Sequence, residues 1–478
     1  MCYDPRQHPK PRPFLTRREM LRQTSTGFGM LALSALMADS SYAGLGQEVT
    51  DGPLAAKTPP LAPKVKNVIF CYLSGGLSHV DSFDPKPRLT AEAGDPMPFQ
   101  TERTMFNNDG NIMPSPWEFT RYGQSGIPVS ALFPHIGSVA DELTVIRSMT
   151  APFTEHAQAN FYFHCGTSFA GFPSMGSWIT YGLGTENQNL PGFVVLASGR
   201  IPVGGVNMFG NGFLPVIHQG SIIYPERAEP LNNVRPSETD QEQRDRLRVI
   251  GDLNTGFLER IGGDRQVEAA IDNYEIAYRM QTAVPELVDL AGETEATKKL
   301  YGLDSTNTST AVYGRQCLLA RRLVERGVRF VELTMIGSWD HHSRIEQGHS
   351  ASAMTVDQPV AGLVKDLKSR GLLDETLVIF SSEFGRTPFR QVPNDGRDHN
   401  PHGFSLWLAG GGLKKGFIHG QTDEYGYRAV ENAHTVRDLH ATVLTLLGLD
   451  YRGLTYRFGG RDIRLADVDG HPIRGILA

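Results

Sequence analysis

The stretch Asn67–Leu73 (NVIFCYL), which stops at Ser74-Gly75-Gly76, decides the fold. A run that is apolar at every position and is cut off by glycines is typical of a central strand in a parallel sheet, leading into a functional loop. Five similar runs follow along the chain, at Leu143–Ile146, Phe193–Leu196, Val328–Leu333, Thr376–Phe380 and Phe404–Leu408. The chain therefore contains at least six candidate buried strands.

Helical patterns separate several of these strands, at Gly314–Gly327, Ala351–Arg370 and Val436–Leu447. Alternating strands and helices predict an α/β fold, with a doubly wound, mostly parallel sheet and helices on both faces. Residues 238–300 break the alternation, because they are rich in Glu, Arg, Gln, Leu and Ala and contain no strand-like run. We expect them to form a helical insertion packed against the sheet.

The N-terminus carries the pattern of an export signal. Arg17-Arg18 precede the apolar stretch Gly27–Met37, and Ser41-Tyr42-Ala43 offers the small residues that a signal peptidase reads. The apolar stretch is shorter than the roughly twenty residues needed to span a bilayer; the alternative is a buried first helix. We expect a signal peptide at 1–43 that engages the twin-arginine export machinery, a linker at 44–64 and an α/β domain at 65–478. The expected location is periplasmic or secreted.

Composition narrows the range of functions. The chain has 478 residues, 40% hydrophobic and 21% charged, as in ordinary soluble globular proteins. Its net charge of −6 argues against nucleic acid or an anionic membrane surface as a partner. Three cysteines, Cys71, Cys165 and Cys317, lie beyond the signal, so disulfides do not hold the fold together.

Residues of metal-binding type cluster next to four of the predicted strands. Ligands of open α/β sheets bind outside the carboxyl ends of the strands, so we expect these segments to converge on one edge. Mixed carboxylates and imidazoles suit zinc, manganese or iron, whereas an all-oxygen set suits calcium or magnesium. We expect a divalent metal, zinc first, with calcium or manganese as alternatives. The candidate ligands are His79, Asp81, Asp340, His342, Glu383, Asp398, His399 and His402.

Asp340 and His342 form the most credible pair of ligands. They are two residues apart, so their side chains point the same way in an extended segment. Each group taken singly is more often solvated than metal-bound. Four such groups at four strand ends favour a shared metal site.

Three further residues are candidates for contact with the substrate. Arg386 suits a phosphate or sulfate oxygen, because a guanidinium makes bidentate contacts; alternatively it pairs with Glu383 or Asp398 and only stiffens its loop. Thr154 and His156 stand where a loop enters a helix, and a helix N-terminus is an anion site. The alternative for Thr154 is a plain helix cap.

Several long motifs resemble those of the domain-of-unknown-function 1501 family. Besides the twin-arginine leader, they are Gly75–Pro87, Ala320–Val331, Trp339–His342, Glu383–Pro388, Gly396–His399 and Leu408–Gly412. The family is grouped with the alkaline phosphatase and sulfatase superfamily, whose members hydrolyse phosphate or sulfate esters with one or two metal ions. The resemblance implies an alkaline-phosphatase-like fold and a metal site.

The resemblance also implies roles for individual residues. His79 or Asp81 would take the place of the metal-binding Asp after the first strand, and Asp340 with His342 that of an Asp-x-x-x-His pair at shortened spacing. Glu383-Phe384 stands in place of an Asp-His pair. The final His of the pattern would be His399 or His402.

The nucleophile expected from this superfamily is not evident. The Cys-x-Pro-Ser-Arg motif of sulfatases is absent. The equivalent place holds His156, and Thr154 is the nearest candidate for the Ser or Thr of phosphatases. The resemblance implies an exported metal-dependent hydrolase of phosphate or sulfate esters, acting on a small-molecule or polysaccharide ester, with His156 as acid or base. The alternative is a non-catalytic binding or assembly protein of the same fold.

Overall fold

The computed structural model describes residues 54–199, 201–231, 239–261, 265–335 and 337–478. The predicted signal peptide and the first part of the predicted linker lie outside the described residues. Residues 54–64 form no helix or strand, but backbone hydrogen bonds tie them to the body of the protein. Leu61 N donates to Gly448 O at 2.9 Å, and Lys64 N donates to Leu446 O at 2.7 Å.

Within the described residues, nine strands form the central sheet. Numbered in chain order, they are β1 (Asn67–Tyr72), β2 (Leu143–Thr150), β3 (Phe193–Ala197), β4 (Ser221–Ile223), β5 (Phe330–Thr334), β6 (Thr376–Ser381), β7 (Phe404–Ala409), β8 (Phe417–His419) and β9 (His434–Thr435). The order across the sheet is β8-β2-β7-β6-β1-β5-β3-β4, and β9 also pairs with β2. Every residue of β1 is buried, so the central strand predicted from Asn67–Leu73 is confirmed.

The sheet is mostly parallel, as predicted, but β7 runs antiparallel to both of its neighbours. Trp407 lies opposite Phe380 of β6, and Phe404 lies opposite Met149 of β2. The other pairs of strands in the central sheet are parallel. In a parallel sheet, the segment before a strand lies at the amino edge. Because β7 is reversed, the segment 396–403 instead enters at the edge where β1, β2, β5 and β6 end.

Helices cover both faces of the sheet. The helices of six or more residues are α1 (His156–Cys165), α2 (Met175–Leu183), α3 (Asp240–Ile261), α4 (Arg265–Val288), α5 (Glu295–Leu300), α6 (Thr308–Glu325), α7 (Ile345–Ser369) and α8 (Val436–Leu446). Along β1, Ile69 packs in the core shared with α6 and α7. Phe70 packs in the opposite core, shared with α1, α2 and α8. This confirms the predicted α/β fold with helices on both faces.

The stretch predicted to be a helical insertion contains α3, α4 and α5. The C-terminal half of α4 buries Met280, Val284 and Leu287 in the core that α6 and α7 share with the sheet. None of the described helices is long and apolar enough to cross a membrane. Cys71, Cys165 and Cys317 are buried free thiols.

Short elements build the loops around the sheet. Two-stranded ribbons pair Asp109–Ile112 with Phe389–Gln391, Phe119–Tyr122 with Ile127–Ser130, Gly385–Arg386 with His399–Asn400, Gln421–Thr422 with Ala429–Glu431, and Tyr456–Phe458 with Arg461–Ile463. Short helices span Pro87–Ala91 and Pro134–Gly137. Turns of 3-10 helix span His79–Asp81, Ala140–Glu142, Gly205–Phe209, Val216–His218, Leu373–Glu375 and Arg474–Ile476.

The carboxyl of Asp357 in α7 makes the stability depend on pH. It accepts hydrogen bonds from His135 N at 2.9 Å and Ile136 N at 2.7 Å. Burial nevertheless raises its pKa from 3.8 to about 7. The folded protein therefore binds this proton more tightly than the unfolded chain, so Asp357 lowers stability as pH rises from about 4 to about 7.

We expect Asp357→Asn to remove this loss. Relative to the wild type, the variant should gain stability between pH 4 and 7, at up to about 1.4 kcal/mol per pH unit, and hold that gain above pH 7. Urea unfolding at a series of pH values measures the difference. The exposed Asp374 supplies the control, since Asp374→Asn should give no comparable slope. A stability difference that does not change with pH would contradict the prediction.

Candidate metal centre

The candidate site lies at the carboxyl edge of the sheet, around β1, β2, β5 and β6. The loop after β1 and the loop after β5 approach each other closely there. Gly75 has a φ of 113°, and a Cβ at this position would lie 2.6 Å from Asp340 N. Only glycine fits this backbone and this contact, so the glycines after Asn67–Leu73 allow Asp340 to reach the site.

Each of three histidines at the site is held by a hydrogen bond that its Nδ1 donates. The Nδ1 of His156 donates to Glu383 Oε1 at 2.6 Å. The Nδ1 of His399 donates to the backbone oxygen of Thr154 at 2.5 Å, and the Nδ1 of His342 donates to Gln391 Oε1. An acceptor at Nδ1 fixes the ring orientation, and in the neutral ring it fixes the tautomer in which Nε2 carries no hydrogen and can bind a metal.

The three Nε2 atoms converge on the carboxylate of Asp340. Asp340 Oδ1 lies 2.8 Å from His342 Nε2 and 3.2 Å from His399 Nε2, and Oδ2 lies 3.1 Å from His156 Nε2. The Nε2 atoms of His342 and His399 are 3.0 Å apart. Ligand atoms of a tetrahedral zinc, each about 2.0–2.1 Å from the ion, are about 3.3 Å from one another. The spacing of these atoms therefore fits a metal ion.

The electrostatics of this arrangement require a cation. Lone pairs of imidazole nitrogens and carboxylate oxygens repel one another unless a proton or a metal ion lies between them. His156 Nε2 is buried and lacks a partner of hydrogen-bonding geometry. The donor set of imidazoles and one carboxylate is the type that binds zinc. These residues therefore fit a divalent metal.

The pKa values reflect the same concentration of charge. Burial disfavours the charged form of Asp340, but its contacts with the three histidines and the charge of Arg386 hold its pKa well below the usual range. Burial also acts against protonation of His156, yet its contacts with Asp340 and Glu383 raise its pKa to about 9. Burial lowers the pKa of His399 to about 4.

A second group of ligand atoms overlaps the first and includes Asp398. His342, Asp398 and His399 offer donor atoms within 4.8 Å of one another, as do His156, Asp340 and His399. Asp398 Oδ1 accepts from His399 N at 2.7 Å, and Oδ2 accepts from Phe106 N at 3.0 Å. His399 is common to both groups, so the site has donors for one ion or for two adjacent ions.

Solvent reaches the cluster from one side. The side chain of Asp340 is 34% exposed and that of His342 is 20% exposed, whereas His399 is almost completely buried. Structural zinc sites are closed, whereas catalytic sites keep an open position. The Asp340 and His342 side of the cluster is therefore accessible to solvent, as a catalytic site would require.

Glu383 lies one contact away from the cluster. It is fully buried, and its carboxylate accepts hydrogen bonds from Gly75 N at 2.9 and 3.1 Å and from Tyr72 Oη at 3.2 Å, besides that from His156. It belongs to neither group of ligand atoms. The structure therefore gives Glu383 the place of a residue that orients His156, whereas the sequence suggested a ligand.

Arg386 is fully buried and has little capacity left for a substrate anion. Its guanidinium donates to the backbone oxygens of Gly75, Gly76, Trp339 and Arg397, and to Asp340 Oδ1 at 2.7 Å. Of the two roles considered from the sequence, this geometry favours the stiffening of loops. Its acidic partner is Asp340, whereas the sequence suggested Glu383 or Asp398.

Thr154 and His156 both lie at the cluster. The helix cap is Glu155, whose carboxylate accepts from Gln158 N, so the sequence-based assignment of Thr154 as the cap was wrong by one residue. Thr154 instead contributes its backbone oxygen to the orientation of His399. His156 supplies a ligand atom to the group that it forms with Asp340 and His399, although the sequence suggested that it contacts the substrate.

His79, Asp81 and His402 lie outside both groups of ligand atoms. His79 is buried and its Nε2 donates to Gly426 O at 2.6 Å. Asp81 is fully buried and pairs with Arg397, with Nε 2.8 Å from Oδ2 and Nη2 3.1 Å from Oδ1. His402 Nε2 faces Glu102 Oε2 at 3.5 Å. The structure does not bring these three side chains to the candidate site.

Sequence reasoning missed the residues that anchor the histidines. Gln391 is an uncharged residue in a ribbon strand, and Thr154 acts through its backbone, so neither carries a signal in the sequence. Tyr72 and Asn160, which hydrogen-bond to each other behind Glu383, look like ordinary core positions of β1 and α1.

Comparisons with known proteins agree with the motifs. The family model described as "Protein of unknown function (DUF1501)" matches residues 65–477. The chain belongs to the DUF1501 family. The family expected from the motifs is thereby confirmed. No curated protein matches this DUF1501 chain.

Several solved structures are similar to this DUF1501 protein. A protein in the alkaline phosphatase superfamily from Vibrio parahaemolyticus is 12% identical, with a TM-score of 0.37, over 92% of this chain and 78% of that one. The PsFucS1 sulfatase from Pseudoalteromonas sp. is 14% identical, with a TM-score of 0.34, over 80% and 68%. The alkaline phosphatase of the Antarctic bacterium TAB5 is 12% identical, with a TM-score of 0.31, over 81% and 99%. Similarity of this extent does not transfer an activity or a substrate to this chain.

Replacement of Asp81 tests whether this residue stabilises the fold through Arg397 or binds a metal. Asp81→Asn leaves a buried guanidinium without its carboxylate, so we expect a loss of about 3–5 kcal/mol in the free energy of unfolding. Metal content at saturating zinc should stay at the wild-type value. Urea unfolding and elemental analysis of the folded variant measure the two effects. Loss of bound metal with unchanged stability would instead make Asp81 a ligand.

Proposed function

We propose that the protein is an exported metal-dependent hydrolase of phosphate or sulfate esters. The observation that carries the proposal is the convergence of three Nδ1-anchored imidazoles on Asp340. This arrangement supplies a donor set for a divalent ion, and its partial exposure leaves access for a ligand. The DUF1501 motifs, which resemble those of the alkaline phosphatase and sulfatase superfamily, favour phosphate or sulfate esters of a small molecule or a polysaccharide.

His156, Asp340 and His399 would hold one ion, and His342, Asp398 and His399 form the overlapping group that is available to a second ion. Imidazole-rich donors favour zinc over calcium, with manganese as an alternative. A divalent ion, when bound, supplies Lewis acidity toward an ester oxygen and makes water a better nucleophile.

The protein's own residues supply position and charge. Glu383, held by two contacts with Gly75 N, fixes the ring of His156. Arg386 joins the loops after β1, β5 and β6 and places a buried positive charge next to Asp340. The N-terminus of α1 begins at His156, so its partial positive charge lies beside the cluster and favours an anionic substrate group. Thr154 is the candidate nucleophile of the chain itself, and water is the alternative.

Replacement of Asp340 tests the metal centre directly. We expect Asp340→Ala to lose bound zinc and at least 100-fold of any ester hydrolysis, since its carboxylate contacts all three histidines. Elemental analysis gives metal content, and assays with 4-nitrophenyl phosphate and 4-nitrophenyl sulfate give activity. Asp462→Ala, at an exposed position in a surface hairpin, is the matched control.

The outcomes separate the hydrolase from the alternative function. Wild-type metal content in the Asp340→Ala variant would overturn the metal centre. Bound metal with no turnover of any phosphate or sulfate ester would overturn the hydrolase and favour a non-catalytic binding or assembly protein that kept the site.

Export is the second part of the proposal and is supported by the pattern at residues 16–43. We expect the double variant Arg17→Lys, Arg18→Lys to accumulate in the cytoplasm with its leader uncleaved, since the twin-arginine machinery reads the arginine pair. Fractionation followed by mass spectrometry of the N-terminus measures this. Replacement of Arg12 by Lys, outside the pair, is the control. Unchanged location of the double variant would contradict twin-arginine export.

A further inference from the structure

We propose that Phe106 is a platform for a ring in the substrate, so that the site prefers esters whose alcohol group carries a flat-faced ring. This inference rests on the proposed function, since it names a feature of the substrate bound at the same metal site. The ligand chemistry is a six-membered ring with an apolar face, next to a phosphate- or sulfate-type anion.

Phe106 lies directly beside the metal-binding histidines. Its ring centroid is 4.8 Å from that of His342, in an edge-on arrangement at 77°, and 6.4 Å from that of His399. The residue is nevertheless 48% exposed. A large apolar ring therefore meets solvent while in contact with His342, one of the proposed ligands, where a substrate group at the site would reach it.

The position of Phe106 is fixed by residues of the metal site. Phe106 N donates to Asp398 Oδ2 at 3.0 Å. Two residues later, Asn108 O accepts from Val392 N at 2.9 Å, and Asp109 pairs with Gln391, the residue that anchors His342. The backbone that carries Phe106 is thus attached at residue 106 to Asp398 and at residues 108 and 109 to the strand that contains Gln391.

The physical chemistry favours a ring as the occupant. An aromatic face packs against another flat apolar face over a large area, and it offers no hydrogen bond to a small polar group. Covering such a surface removes apolar area from water, which stabilises the complex with a ring-bearing ligand and contributes little to one with a methyl group.

Binding of phosphonates to the zinc-loaded protein tests the inference without any need for turnover. Methylphosphonate reports on the metal site alone, phenylphosphonate adds an aromatic ring, and cyclohexylphosphonate adds a saturated ring with the shape of a pyranose. By calorimetry, we expect wild-type protein to bind at least one ring-bearing ligand about tenfold more tightly than methylphosphonate. Preference for cyclohexyl over phenyl would assign the ring to a saturated, sugar-like group, and the reverse to an aryl group.

Variants at position 106 complete the test. Phe106→Ala should reduce this preference to within about twofold while leaving the affinity for methylphosphonate and the zinc content unchanged. Phe106→Trp should retain the preference, because it keeps an aromatic face. Phe169→Ala is the matched control, since Phe169 is also exposed and lies beyond the far end of α1 from His156.

Failure of this inference differs from failure of the proposed function. If methylphosphonate binds and the ring-bearing ligands bind no better, Phe106 is not a platform and the metal site stands. If Phe106→Ala lowers the affinity for all three phosphonates equally, the inference is overturned as well, because Phe106 would then only support His342. If no ligand binds to zinc-loaded protein, the proposed function fails and this inference fails with it.

Discussion

The contact of one carboxylate with three imidazoles is the interaction around which this edge of the sheet is organised. Asp340 faces His156, His342 and His399, and each ring is turned toward it by an acceptor at Nδ1. Such an arrangement concentrates lone pairs in a small volume, and their repulsion is relieved by a proton or a metal ion between them. The acceptors Glu383, Gln391 and the backbone oxygen of Thr154 hold the three rings in place against the mutual repulsion of these lone pairs.

Two buried arginines bind the loops that carry this site. Arg386 ties the loops after β1, β5 and β6 through four backbone oxygens and Asp340. Arg397 pairs with Asp81 and also donates to backbone oxygens of Thr387, Met113 and Pro114. Buried guanidiniums are costly unless every donor is satisfied, so their partners specify one arrangement of the loops. The cluster thus rests on loops in one defined arrangement, which the proposed metal site would require.

Similar contacts hold a further segment, which contains Phe106, beside the cluster. Phe106 and Asp109 belong to a segment far from the other site residues in sequence, yet Asp398 and the ribbon strand of Gln391 hold that segment beside His342. The site therefore includes an apolar surface as well as charged groups. In the proposed hydrolase, these two features would recognise the two ends of an ester.

The fold could be predicted from the sequence because it depends on local patterns. Strands that are apolar at every position must be buried on both faces of a sheet, so β1, β5 and β6 can be recognised in the sequence. The family can be recognised as well, because its motifs consist of contiguous residues.

Asp340, His342 and His399 could be proposed as site residues because sheet topology brings the ends of strands together. The sequence could not distinguish Asp81 from these residues, since all are acidic or imidazole groups next to the ends of predicted strands. Only the position of Arg397, distant in sequence, makes Asp81 part of a buried ion pair. The reversed direction of β7, the role of Glu383 in orienting His156, and the anchors at Gln391 and Thr154 were likewise decided by tertiary structure. Composition and periodicity determine which residues are buried, whereas the partner of each buried polar group is set by contacts between segments far apart in the chain.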